Sequence, residues 1–153
     1  MSIVEDRIKE MGLEIPPCPV PVAAYVPAVE VADFVFASGQ TPIVDGKLMY
    51  SGKLGRDLTV EQGYEAAKLA ALRVISELKA IIGDLDRVDR IVKVTGYVNS
   101  ASDFGDQPKV VNGASELIRH VFGKNGEHAR IAFGVAALPD NAAVEIDLIA
   151  HIK

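Results

Sequence analysis

A chain of 153 residues, 49% hydrophobic and 24% charged, is long enough for one domain with a core of its own. Its formal net charge of -5, with no run of Lys or Arg, argues against binding driven by nucleic-acid phosphates. Cys18 is the only cysteine, so an intrachain disulfide is excluded, and with three scattered histidines (His120, His128, His151) it makes no metal set; neither a metal nor a cofactor is expected.

Ser2 to Met11 reads as a short amphipathic helix with Ile3, Val4, Ile8 and Met11 on one side. Pro16, Pro17, Pro19 and Pro21 then impose an extended linker. Residues 1–22 are thus read as an N-terminal extension of a single domain spanning 1–153. The apolar block of a signal peptide is missing, and no apolar run approaches bilayer length. The expected location is the cytoplasm, away from membranes.

From Ala28 the pattern changes to strand. Ala28–Val31 and Phe34–Ala37 flank Ala32-Asp33 as a hairpin, and Asp45-Gly46 marks a second tight turn. Val60–Ile82 is the clearest helix. Thr59 and Gln62 form a capping box, apolar residues recur from Tyr64 to Ile82, and Gly83 supplies the stop. Ile91–Asn99 is a β-branched strand, and Asp84, Asp86 and Asp89 before it read as solvated. A second helix runs from about Pro108 to Phe122 and ends at Gly123. Two alternating strands follow. Arg130–Ala136 sets Arg130, Ala132 and Gly134 against Ile131, Phe133 and Val135. Val144–Ile152 sets Val144, Ile146 and Leu148 against Glu145, Asp147 and His151. The resulting order, ββ(β)αβαββ, predicts an α+β fold with one sheet and two helices on one face. The other face, expected to carry Arg130, Ala132 and Gly134, predicts oligomerisation. Aromatics are only 6% and Trp is absent, so the core is expected to be aliphatic.

An arginine projecting from a strand among small residues is poorly screened, and its planar fork suits a carboxylate. Taken alone, Arg130 reads more readily as half of a structural ion pair with Glu145 or Asp147, since such pairs are commoner than sites. Cys18, in the Pro-rich linker with no base nearby in sequence, reads as incidental. His120, late in a helix, complements the dipole.

The stretch from Arg130 through Val135-Ala136 and Leu138-Pro139 to Val144-Glu145-Ile146 and Ile149-Ala150 resembles the C-terminal signature of the Rid/YjgF family. Ala24-Tyr25, Phe34 to Gln40, Val92 to Thr95 and Asp103-Phe104 resemble its earlier segments in the same order. The resemblance covers Ala23 to Ala150. It implies a chorismate mutase-like mixed sheet, a homotrimer whose sheets face a central barrel, and clefts between subunits. It also implies hydrolysis of 2-enamine/2-imine acids to 2-oxo acids and ammonia. Carried over by position, Arg130 binds the carboxylate, Glu145 assists the water, Tyr25 lines the site and the Gly39 N–H contacts the ligand. Asn112 is a weaker candidate. Ile131 and Ala132 after the arginine, Ala23-Ala24 before Tyr25, and the Gln107-Pro108 helix entry depart from the family pattern and mark a divergent branch.

Three functions follow from this reading. The first is a cofactor-free imine/enamine hydrolase acting on a small 2-imino acid. The second is a non-catalytic carboxylate binder or interaction protein, which the same arginine would serve. The third and least favoured is an endoribonuclease, opposed by the acidic balance; no nucleic-acid partner is expected. Geometry limits the first. In a simple hairpin of the last two strands, Arg130 and Glu145 would lie about four residues, or roughly 13 Å, apart. Either those strands are not neighbours or a second subunit completes the site.

Overall fold

The computed structural model describes residues 2–21 and 23–153; Met1 and Val22, placed by the sequence in the N-terminal extension, lie outside them. In chain order the elements are α1 (Ile3–Glu10), β1 (Ala28–Val31), β2 (Phe34–Gln40), β3 (Ile43–Val44), β4 (Lys47–Leu48), α2 (Val60–Ile82), β5 (Val88–Asn99), α3 (Gln107–Phe122), β6 (Ala129–Val135) and β7 (Val144–Ile152).

Local chemistry explains the boundaries. Thr59 Oγ1 accepts from the Gln62 N–H at 3.2 Å, and Gln62 Oε1 accepts from the Thr59 N–H at 2.8 Å, so the capping box starts α2 as the sequence requires. Gly83, at φ +78°, ends it. Asp45 and Gly46 both adopt positive φ and join β3 to β4. Helix α1 begins at Ser2, which caps the Glu5 N–H. Its buried stripe is narrower than its sequence suggests: Val4 and Ile8 are buried while Ile3 and Met11 are exposed. Asp84, Asp86 and Asp89, around the start of β5, are not merely solvated. Asp86 accepts from the first N–H groups of α1, at Ile3 (2.9 Å) and Val4 (3.2 Å), and Asp89 meets His151 Nδ1 at 3.0 Å.

The five-stranded sheet has the order β1-β2-β7-β5-β6, with β3 and β4 forming a separate small ribbon. Strands β5 and β6 are parallel; the other pairs in the main sheet are antiparallel. Helices α2 and α3 lie on one face, giving the mixed α+β architecture that the sequence predicts. The core between them is aliphatic, built from Val35, Val94, Ile146 and Leu148 of the sheet against Ala67, Ala71 and Val74 of α2. Phe122 is the one aromatic side chain among the described core residues. Small residues let these layers close. A Cβ on Gly113 would run into the Tyr64 carbonyl oxygen, so glycine is what permits α3 to cross α2 there.

Strand β6 has the predicted alternation but the opposite facing. Arg130, Ala132 and Gly134 point toward α3, while Ile131 (46% exposed) and Phe133 (40%) point to the uncovered face. The cause is α3. It presents Gln107, Asn112 and Ser115 over β6, polar groups that match an arginine and small residues beneath them. Ile131 and Phe133 instead join Val29, Val31, Phe34 and Phe36, all at least 40% exposed, on an apolar face that no helix covers.

Candidate functional site

Arg130 stands on β6, an edge strand of the sheet. Its Nη1 donates to Asn112 Oδ1 at 2.7 Å and to Ser115 Oγ at 3.2 Å, and its Nη2 donates to the Pro108 carbonyl at 3.4 Å. All three acceptors are neutral groups of α3. The ion pair that the residues alone favoured is not formed: Glu145 and Asp147 lie two strands away on β7, and Asp147 accepts instead from the Tyr97 hydroxyl at 2.8 Å. Asn112 therefore works by fixing the guanidinium, and Ser115 and His128, which the motif did not flag, extend the arrangement. The Gly126 carbonyl, 2.6 Å from His128 Nδ1, can only accept, so that nitrogen carries the proton. Nε2 then accepts from the Ser115 hydroxyl at 2.9 Å, which leaves that oxygen's lone pairs for Arg130. Burial holds the His128 imidazole below its usual range; the Gly126 bond opposes this, and the cationic Arg130 reinforces it. The result is a guanidinium aimed by neutral partners, with its charge unanswered.

Tyr25, Gly39 and Glu145 form a second group. They line one cavity of about 250 Å³ beneath the Pro-rich arm, together with Gln40, Arg73 and Glu77. The register between β2 and β7 shifts between Ala37 and Gln40, which brings Gly39 against Glu145. A Cβ there would sit 2.5 Å from Glu145 Oε1, so a larger residue would push that carboxylate from its place. Burial, and then the neighbouring Asp147, pushes the Glu145 carboxyl above the usual range.

Sequence reasoning missed Arg73 and Glu77. Both come from α2, and the Arg73 Nη1 is tied to the Thr41 carbonyl at 2.9 Å. Glu77 is fully buried, and Gln40 Nε2 donates to its Oε1 at 2.6 Å. Burial raises its pKa to about 8, against the lowering effects of Gln40 and Arg73. A signal was present: Glu77 continues the helical stripe of Ala66 and Ala70, where an acid is out of place.

The two groups do not meet within one chain. Strand β5 lies between β6 and β7. Through Val94, Arg130 is level with Leu148, three residues along from Glu145. Two strand spacings add roughly 10 Å across the sheet. Arg130 moreover faces the helices, whereas Glu145 alternates with the buried Val144 and Ile146 and faces the open side. Of the two possibilities raised by the hairpin geometry, the strands are not neighbours. Among the described residues no cluster of three or more His, Cys, Asp or Glu side chains is placed to hold a metal, and no helix is long and apolar enough to cross a membrane.

Comparison with known proteins agrees with this architecture. Residues 5–152 match the family described as "YjgF/chorismate mutase-like, putative endoribonuclease". Protein TCP17 of Trypanosoma cruzi is 43% identical over 151 residues, covering 98% of this chain and 94% of that protein. A 2-iminobutanoate/2-iminopropanoate deaminase of Dermatophagoides farinae is 29% identical over 143 residues, covering 92% and 95%. Among solved structures, the protein Atu1372 of Agrobacterium tumefaciens, whose function is unknown, superimposes with a TM-score of 0.94 at 41% identity, covering 99% of this chain and 93% of that one. With its sheet order, its two covering helices and a match that spans nearly its whole length, this chain belongs to the YjgF/chorismate mutase-like family.

Proposed function

We propose that the protein hydrolyses small 2-enamine/2-imine carboxylic acids to 2-oxo acids and ammonia, in a cleft built from two protomers of a homotrimer. The observation that carries this reading is the state of Arg130, a guanidinium held in place by three neutral acceptors and paired with no acid among the described residues. Such a group is preorganised for a ligand carboxylate, which it grips by a charge-assisted, two-pronged bond. Glu145 of the adjoining protomer takes a proton from the water that attacks the imine carbon. The deaminase relative supports this chemistry, and the apolar open face supports the assembly.

The test is ammonia release from enamines generated in situ from serine or threonine by a dehydratase. Wild type accelerates release. Arg130→Ala abolishes the acceleration and the calorimetric binding of pyruvate, and it shifts the melting temperature little. Arg130→Lys keeps the charge, loses the fork and weakens binding. A wild-type protein that neither accelerates release nor binds 2-oxo acids overturns the proposal, as does an Arg130→Ala protein that behaves like wild type.

A further inference from the structure

The least expected group in the molecule is the Glu77 carboxyl. It is fully buried on α2, and its Oε2 has no hydrogen-bond partner among the described residues. An orphaned polar atom in an apolar layer costs stability, which a leucine at the same position would not. Among the described residues the cost falls at one place, the wall of the cavity that Glu145 also lines. The backbone links the two acids. Gly39 touches Glu145, and the next residue, Gln40, is hydrogen-bonded to Glu77. The other titratable groups around Glu77 are Arg73 one turn earlier on α2, Tyr25 and Cys18 from the N-terminal arm, and Asp140 before β7. Arg73 spends a donor on the Thr41 carbonyl and forms no ion pair with Glu77.

We propose that Glu77 is the acid partner of Glu145, supplying the proton that lets the substrate nitrogen leave. This rests on the hydrolytic reading above. Water adds to the carbon of the protonated imine, the C=N pair moves to nitrogen, and Glu145 takes a proton from the water. The product is a neutral carbinolamine bearing OH and NH2. Protonated Glu77 then gives its proton to the amine. The C–N bond breaks with its electron pair on nitrogen, and a hydroxyl lone pair closes the new C=O. The hydroxyl proton returns to Glu77, and the proton on Glu145 passes to ammonia, which departs as ammonium. Both carboxyls are restored, and no oxidant, reductant or cofactor is consumed. Two acids in one cavity with differently raised pKa values are the arrangement that such a division of labour needs.

The test uses Glu77→Gln, which preserves the acceptor for Gln40 and removes the transferable proton. Its kcat on enamine-derived imines is expected to fall about a hundredfold, within the usual range for general acids. The wild-type kcat falls at alkaline pH with a midpoint near 8, and that limb disappears in the variant. Glu77→Asp, retaining the proton, recovers part of the rate. Carbon-detected NMR of the wild-type carboxyls reads the proton directly and needs no variant to fold. A Glu77 signal that titrates with the ordinary glutamates overturns the proposal, as does an unchanged kcat–pH profile in Glu77→Gln. An active wild type with an unaffected variant removes this inference alone, whereas a wild type inactive on every imine removes the hydrolytic reading with it.

Discussion

Arg130 and Glu77 are opposite solutions to placing a charged residue in a folded chain. The arginine is set among three oriented acceptors that replace part of its hydration. The glutamate keeps its place by giving its charge up. That has a consequence for stability. An acid whose folded pKa lies near 8, against 4.5 when unperturbed, contributes no penalty below pH 4.5, where both states are protonated. As pH rises toward 8 the unfolded chain ionises and the folded one does not, so stability falls by up to about 1.4 kcal/mol per pH unit. Glu77→Gln should therefore match or exceed wild type in urea denaturation at pH 8, and the advantage should shrink toward pH 4.5. A difference independent of pH would show that Glu77 is ionised in the native protein. Sequence motifs singled out Arg130, Tyr25, Gly39 and Glu145 because those residues sit in recognisable strings, with Asn112 a weaker candidate outside them. Glu77 lies in no string; only its place on an otherwise apolar helical stripe marks it.

Helix α2 was legible end to end, because its signals are local: a capping box at one terminus, a glycine at the other and a 3.6-residue period between them. Strand β6 was legible only in period. Alternation says that two faces differ, not which of them meets the helices. Ile131 and Phe133 are the more apolar pair and so read as core, yet α3 covers Arg130, Ala132 and Gly134. The decision is made by non-local pairing, since β6 joins β5 in parallel rather than folding back on β7. A parallel neighbour requires a crossover, here α3 itself, and that crossover lands on the arginine side.

The face left open by this choice carries Val29, Val31, Phe34, Phe36, Ile131 and Phe133, with Tyr97 packed edge-on against Phe133 at 5.3 Å between ring centroids. Apolar surface of that extent calls for a partner, and the homotrimer proposed above supplies it with copies of the same face. Phe133→Asp places a charge in that contact and leaves the buried core unchanged. Light scattering of the wild type should give three times the 16.3 kDa chain mass. The variant should give a single chain mass with unchanged far-ultraviolet circular dichroism, and should lose 2-oxo acid binding. A variant of wild-type mass, or a monomer that still binds, would separate the open face from the site.

With β5 standing between Arg130 and Glu145, the proposed catalyst is owned by no single protomer. Two inactive proteins, one carrying Arg130→Ala and the other Glu145→Gln, should then rescue each other. When the two are unfolded and refolded together, some interfaces of the mixed trimers regain an intact arginine from one parent and an intact glutamate from the other. Ammonia release should reappear in the mixture although each parent alone is silent. A mixture as silent as its parents would mean that each chain must supply both groups itself. Under the proposed arrangement, damage to one side of the cleft is masked wherever an undamaged copy occupies the other.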